Sequence, residues 1–106
     1  GTATGNSLET IDKATGILTS DPTTLAAYVP GSGSTVPVVE LILNNNRVSA
    51  GSVVMANIVR NCNAKTLLTV VSTVTRLQVV TFKVANVGSA ACAAGETFDL
   101  AFVVLN

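Results

Sequence analysis

The segment VPVVELILNNNRVSAGSVVMANIVR, Val36 to Arg60, decides the fold because it sets two long apolar runs on either side of three asparagines. Val36 to Leu43 and Ser52 to Arg60 are rich in Val, Ile and Leu and show no helical period. This pattern predicts two strands that are apolar on both faces. Asn44 to Gly51 is longer than a tight Asn-Gly hairpin turn and suits a connection that crosses between two sheets.

The three asparagines, Asn44, Asn45 and Asn46, have a structural and a functional interpretation. Asparagine tolerates the left-handed backbone region and hydrogen-bonds to neighbouring backbone groups, so the run can cap a strand end. This structural interpretation is the one we favour. The alternative is that the amides face outward and bind the hydroxyl groups of a sugar.

The rest of the chain also carries strand patterns. Alternation of apolar and polar residues predicts a hairpin of Ser7 to Asp12 with Gly16 to Ser20, and Asp21-Pro22 ends that ladder. Three further strands are predicted at 66–76, 77–85 and 97–105. Pro30 to Ser34 is predicted to be a flexible loop.

About eight strands without a helical period predict an all-β domain, an antiparallel two-sheet β-sandwich of jelly-roll type. An immunoglobulin-like sandwich is the second choice, since the chain has no tryptophan to fill its usual core position. A trimeric β-prism is the third. The 106 residues are enough for one domain, 1–106, and we expect them to be part of a longer polypeptide because the sequence begins Gly1-Thr2 without a methionine.

The composition predicts self-association. Charged residues make up 11% of the chain and hydrophobic residues 48%, whereas an ordinary soluble domain carries about 25% charged residues. So few charges leave apolar side chains on the surface of a small domain, where another copy of the chain can cover them.

Several classes of function are disfavoured. No apolar run approaches the roughly 18 residues of a membrane-spanning helix, so we expect no membrane insertion. Six basic residues balance six acidic ones and do not cluster, so we expect no nucleic-acid binding. The chain lacks histidine, which removes the usual catalytic triads and metal ligands, and we expect no cofactor, no metal and no enzymatic activity.

A few residues could still carry chemistry. Cys62 and Cys92 are too few for a structural zinc site; they form either a disulfide or two buried thiols. Tyr28 is the one tyrosine on which a sugar ring could stack, although core packing is the more common role of a lone tyrosine. A hydrolase would have to use Glu40, or Glu96 with Asp99. We interpret Glu40 instead as half of an ion pair with Arg47, Arg60 or Arg76.

Three stretches resemble a known class of viral module. These are Val39 to Val54, with its NNNRVSAG centre, the segment FKVANVGSAA from Phe82 to Ala91, and the closing run TFDLAFVV from Thr97 to Val104. They are similar to small β-modules at the ends of structural and fibre proteins of large DNA viruses and tailed phages, and Gly16 to Ser20 resembles the opening strand of those modules. The two cysteines and the long 20–36 loop depart from the pattern.

The resemblance implies a jelly-roll-like homotrimer on a virion that assembles the particle or attaches it to a host-surface glycan or receptor. In that case the predicted strands 36–43 and 97–105 pack around the trimer axis, with Val39, Glu40, Leu41, Val103 and Leu105 at the interface. If the resemblance fails, we expect a secreted or extracellular protein, and the alternative function is a carbohydrate-binding module of a larger enzyme.

Overall fold

The described part of the chain is all β-structure and contains no helix. The structure is a computed structural model that describes residues 2–3, 7–10, 12–20, 25–27 and 37–106. Within these residues no apolar helix is long enough to cross a bilayer. The strands are β1 (Thr2–Ala3), β2 (Ser7–Thr10), β3 (Thr15–Ser20), β4 (Val38–Asn44), β5 (Val53–Arg60), β6 (Leu68–Arg76), β7 (Val79–Asn86) and β8 (Asp99–Leu105).

The strands form two sheets. Sheet A has the order β1-β3-β8-β5 and sheet B the order β2-β4-β7-β6. Each contains three antiparallel strands, and the short β1 and β2 add to their edges in parallel with β3 and β4. The all-β prediction is confirmed, and the two sheets are consistent with the predicted sandwich. Within the described residues, however, the antiparallel strands number six and not the predicted eight or so.

One hydrophobic core lies between the sheets. Alternate residues of β4, β7 and β8 point inward, as the two-residue period of a strand requires. The largest fully buried apolar side chains are Phe82, Phe98, Leu18, Leu41, Leu43 and Leu100. Burial of each contributes about 1.5 to 3 kcal/mol relative to exposure, so these residues dominate the stability of the sandwich.

The predicted N-terminal hairpin is wrong. β2 pairs in parallel with β4 in sheet B, whereas β3 pairs with β8 in sheet A. The link between them is held at the end of the sandwich, where the Asn45 side chain donates a hydrogen bond to the Lys13 carbonyl and the Val104 amide donates to that of Ala14. β2 and β3 thus pair with long apolar strands from elsewhere in the chain and not with each other.

The connection of residues 45–52 crosses from β4 in sheet B to β5 in sheet A, as predicted. β5 and β6 are edge strands, one in each sheet. Both are irregular: the pairing register shifts between Ile58 and Arg60 in β5 and between Val70 and Ser72 in β6. Such irregularities bend an edge strand and interrupt its ladder.

Cys62 and Cys92 form a disulfide, with their Cα atoms 5.5 Å apart. The bond joins the segment after β5 to the segment before β8. Leu25 pairs with Cys92 through two backbone hydrogen bonds of 3.2 and 2.8 Å, so a third segment is tied to the same point. Cys92 is fully buried, and the bridge therefore closes one end of the core.

Candidate functional site

The outer surface of sheet A is the first candidate site. Side chains that point away from the core on β5 and β8 are almost all apolar, and we call this surface the apolar face: Val53, Met55, Ala101, Val103 and Leu105. Met55 is 59% exposed and Val53 58%, which is unusual for side chains of this size. A shallow groove of about 280 Å³ runs between Met55 and Val103.

Cross-strand pairing makes the apolar face continuous. Met55 lies opposite Val103, and Val53 lies opposite Leu105. Neighbours in such pairs are about 5 Å apart, so their methyl groups form one surface. The outer surface of sheet B is different: Glu40 and Lys83 form an ion pair of 3.7 Å there, and Arg76 lies beside them. Sheet B also exposes valines, such as Val38 and Val74, but charged residues lie among them, whereas the apolar face has none.

The structure divides the five predicted interface residues among three places. Val103 and Leu105 belong to the apolar face. Val39 and Leu41 are 8% and 0% exposed and fill the core, so the prediction that they line an interface is wrong. Glu40 lies on the outer surface of sheet B, on the opposite side of the sandwich. β4 carries apolar residues on both faces, and the alternation alone did not reveal which face is buried.

The prediction for the Glu40 ion pair also needs correction. Its partner is Lys83, directly opposite on β7, and not Arg47, Arg60 or Arg76. Both side chains are partly exposed, at 41% and 45%, so the pair contributes little to stability.

Arg60 and Asp99 form the most elaborate polar cluster of the described surface. The Arg60 Nε and Nη2 atoms donate to the two Asp99 carboxylate oxygens at 2.9 and 3.2 Å. Arg60 also donates to the Thr97 carbonyl at 2.9 Å and hydroxyl at 2.7 Å, and the Thr19 hydroxyl donates to Asp99 at 2.7 Å. This cluster marks the polar end of the apolar face. The sequence did not predict it, because 39 residues separate the two charges.

The Arg60 cluster predicts a pH-dependent stability. Hydrogen bonding to Arg60 lowers the pKa of Asp99 from its ordinary value of 3.8, with the Thr19 hydroxyl adding to the effect. A carboxyl whose folded pKa is lowered stabilises the fold above its unfolded pKa, and that stability is lost as the pH falls through the lower folded value. We therefore expect Asp99→Asn to reduce the free energy of unfolding at neutral pH and to differ less from the wild type near pH ~2.5.

Urea unfolding at the two pH values measures this difference. Arg60→Gln, which removes the partner, serves as the matched variant and should lose the same pH dependence. An Asp99→Asn variant that is destabilised equally at both values would contradict the assignment.

Glu96 is likewise engaged in local structure. Its carboxylate accepts hydrogen bonds from the Ala93 amide at 2.7 Å and the Asn63 side chain at 3.0 Å, and these bonds lower its pKa, with that of Ala93 having the larger effect. A general acid of a hydrolase needs the opposite shift. Within the described residues, no three His, Cys, Asp or Glu side chains come together in a way that could bind a metal ion.

The second candidate site is a cavity of about 450 Å³ at one end of the sandwich, which we call the asparagine cavity. It lies where residues 12–14, the end of β4 and the β6–β7 turn meet. Its lining includes Asp12, Asn44, Asn46, Leu77 and Gln78. Tyr28, the predicted stacking residue, lies outside the described residues.

Asn45 holds the asparagine cavity together. It is buried, its Nδ2 donates to the Lys13 carbonyl at 2.6 Å, and its Oδ1 accepts from the Arg47 amide at 2.9 Å. Asn46 contributes its backbone amide, which donates to Asp12 Oδ1 at 3.0 Å, and its side chain is exposed. The strand-cap interpretation therefore fits Asn45, while Asn44 and Asn46 belong to the lining of the cavity.

Asn45→Ala tests this structural role. It leaves the Lys13 carbonyl and the Arg47 amide without a partner, and we expect a loss of about 1 to 3 kcal/mol in the free energy of unfolding. Asn46→Ala, an exposed neighbour, should change it by less than about 0.5 kcal/mol. Urea denaturation of the two variants measures the contrast; equal effects would refute the assignment.

No known protein family, characterised protein or solved structure matches this chain.

Proposed function

We propose that this chain is a structural and interaction module that assembles with copies of itself through the apolar face. The observation that carries the proposal is the contrast between the two outer surfaces. Sheet A exposes Val53, Met55 and Leu105 without a charged residue among them, whereas sheet B carries the Glu40–Lys83 pair. Apolar side chains that are grouped and free of charge are typical of a surface that another protein covers.

A second copy of the chain is the occupant we favour. The net charge is zero, so copies approach without mutual repulsion, and the apolar face presents no charged side chain that would exclude another copy. A partner recognised by charge would need a charged counterpart on this surface, and only Arg60 and Asp99, which neutralise each other, lie at its end.

The size of the apolar face favours more than two copies. The two strands that carry it, each of about seven residues, cover roughly 10 Å by 23 Å, or about 230 Å². A standard interface buries about 800 Å² on each partner, so a pair joined by this face alone falls short. In a closed trimer each copy contacts two neighbours and adds the rim of the sandwich to the contact. We take the number of copies, three, from the viral resemblance.

The strand order supports the jelly-roll part of the proposal. β3 to β6 lie alternately in sheets A and B, while β3 pairs with β8 and β4 with β7, as when a two-stranded ribbon is rolled up. A complete jelly roll has eight strands. Strands β3 to β8 correspond to six of them, and the short β6–β7 turn takes the place of the hairpin formed by the other two. A role in a virion or fibre, with attachment to a host surface, is the setting that the resemblance adds. The alternative function, a carbohydrate-binding module, is favoured by the asparagine cavity.

Light scattering at several concentrations tests the proposal. We expect the mass of three chains at micromolar concentration, with dissociation on dilution. A mass of one chain, 10.8 kDa, at every concentration would overturn the assembly proposal. Detectable hydrolysis of a glycan panel, lost in Glu40→Gln, would overturn the view that the chain is not an enzyme.

A further inference from the structure

The asparagine cavity has walls that are fixed by backbone hydrogen bonds. The Asn45 amide donates to the Gln78 carbonyl at 2.9 Å, and the Gln78 amide donates to the Val48 carbonyl at 2.8 Å. The β6–β7 turn is therefore clamped against the β4–β5 connection. Asp12 is held from the other side by the Asn46 amide at 3.0 Å. A cavity formed in advance loses little entropy when it binds a ligand.

Gln78 has a left-handed backbone conformation, which is unfavourable for a residue with a side chain. Its φ is 61°, and it is the one residue other than glycine with a positive φ in the described chain. Left-handed backbone costs an ordinary residue about 1 to 2 kcal/mol, whereas glycine adopts it without steric cost. Such a conformation persists where the surrounding structure fixes it, as the two backbone hydrogen bonds do here, and such residues cluster at binding sites. Gln78 lines the cavity, and its amide is the group to which we assign a role there.

The polar groups around the cavity match a polyhydroxylated ligand. Within the described residues, the side-chain amides of Asn44, Asn46 and Gln78 make no hydrogen bond. Each amide offers both donors and an acceptor, which is what a sugar hydroxyl pairs with. Leu77 is 73% exposed at the rim and provides an apolar surface for the C–H groups of a sugar ring.

Charge narrows the class of ligand. Among the lining residues that the structure describes, Asp12 is the one with a charge, so the cavity favours neutral sugars over acidic ones. A divalent cation is a poorer match, because a single carboxylate is too little charge for a calcium site.

We propose that the asparagine cavity binds neutral sugars, with Gln78, Asn46 and Asp12 as the residues that contact the ligand. This inference rests on the attachment role in the proposed function. It assigns that role to the asparagine cavity and names neutral sugars as the ligand. The cavity lies at the end of the sandwich and shares no residue with the apolar face, so we assign binding and assembly to different surfaces.

The experiment is a titration of ¹⁵N-labelled protein with glucose, galactose, mannose and N-acetylglucosamine, followed by NMR. We expect the side-chain NH₂ signals of Asn44, Asn46 and Gln78 to shift and the affinity to be millimolar. Asn46→Ala should weaken binding about fivefold, the effect of one lost hydrogen bond. Asn57→Ala, an exposed amide on sheet A outside the cavity, is the matched control and should bind as the wild type does.

Gln78→Gly separates the functional from the structural role. Glycine relieves the left-handed strain, so we expect the melting temperature to rise by a few degrees while sugar binding falls about fivefold or more. A merely structural Gln78 would give the higher melting temperature without the loss of binding, and that result would overturn the inference.

Two other outcomes would also overturn it: no shifts with any of the neutral sugars, or equal affinity for sialic acid. Light scattering of the same samples tests the assembly proposal independently of the sugar-binding proposal. A wild-type trimer that binds no sugar refutes the cavity alone, and a sugar-binding monomer refutes the assembly alone.

Discussion

Replacing Met55 with lysine is expected to convert the assembled protein into a single 10.8 kDa chain. Met55 lies on the apolar face opposite Val103 and is 59% exposed in one copy. A lysine there is accommodated by the monomer, because its amine reaches water. In the assembly the charge would be buried without a partner, at a cost of about 3 kcal/mol or more, which weakens association more than 100-fold.

Val74→Lys is the matched control for this substitution. Val74 is 44% exposed on the outer surface of sheet B, beside Arg76, so it has similar exposure on the opposite side of the sandwich. We expect this variant to keep the wild-type mass. If Met55→Lys stays assembled and Val74→Lys dissociates, sheet B is the interface and the apolar face must be abandoned as the site of assembly.

Removal of the Cys62–Cys92 disulfide has the second large expected effect. The bond closes a loop with a sequence separation of 30 residues, and in the chain-entropy model such a loop contributes about 3 to 4 kcal/mol. The double variant Cys62→Ala/Cys92→Ala should lose this amount from its free energy of unfolding. For a small domain that is a large share of the roughly 5 to 15 kcal/mol available.

The measurement is best made in the Met55→Lys background, since assembly would make stability depend on concentration. Dithiothreitol should destabilise the cystine form by the same amount and leave the double variant unchanged. A double variant within about 1 kcal/mol of its parent would show that the bridge does not restrain the unfolded chain.

The strands were largely predictable because their signal is local. Val, Ile and Thr in runs of six to nine residues gave β4 to β8 with boundaries within about two residues, as β-propensity and alternation allow. The pairing of β2 was not predictable, because it depends on β4, which lies more than 30 residues away. Neighbouring alternating segments resemble a hairpin even when each finds a better partner elsewhere.

The candidate sites were predictable only in part. The surplus of apolar residues predicted an exposed apolar surface, but Val39 and Leu41 could not be distinguished from Val103 and Leu105 without knowing which face of each strand is buried. The asparagine run was identified from the sequence, whereas Gln78 was not. A positive φ at a two-residue turn leaves no mark in the sequence when the residue is glutamine and not glycine or asparagine.

The irregular edges of β5 and β6 bear on how growth of the assembly stops. A straight edge strand is a template on which further sheets can add, and a domain with so few charges has little else to prevent it. Here the ladder is interrupted at Ile58 to Arg60 on one edge and at Val70 to Ser72 on the other. In the proposed assembly, contact between broad surfaces would then prevail over edge-to-edge pairing of strands, and we expect particles of fixed size instead of fibrils.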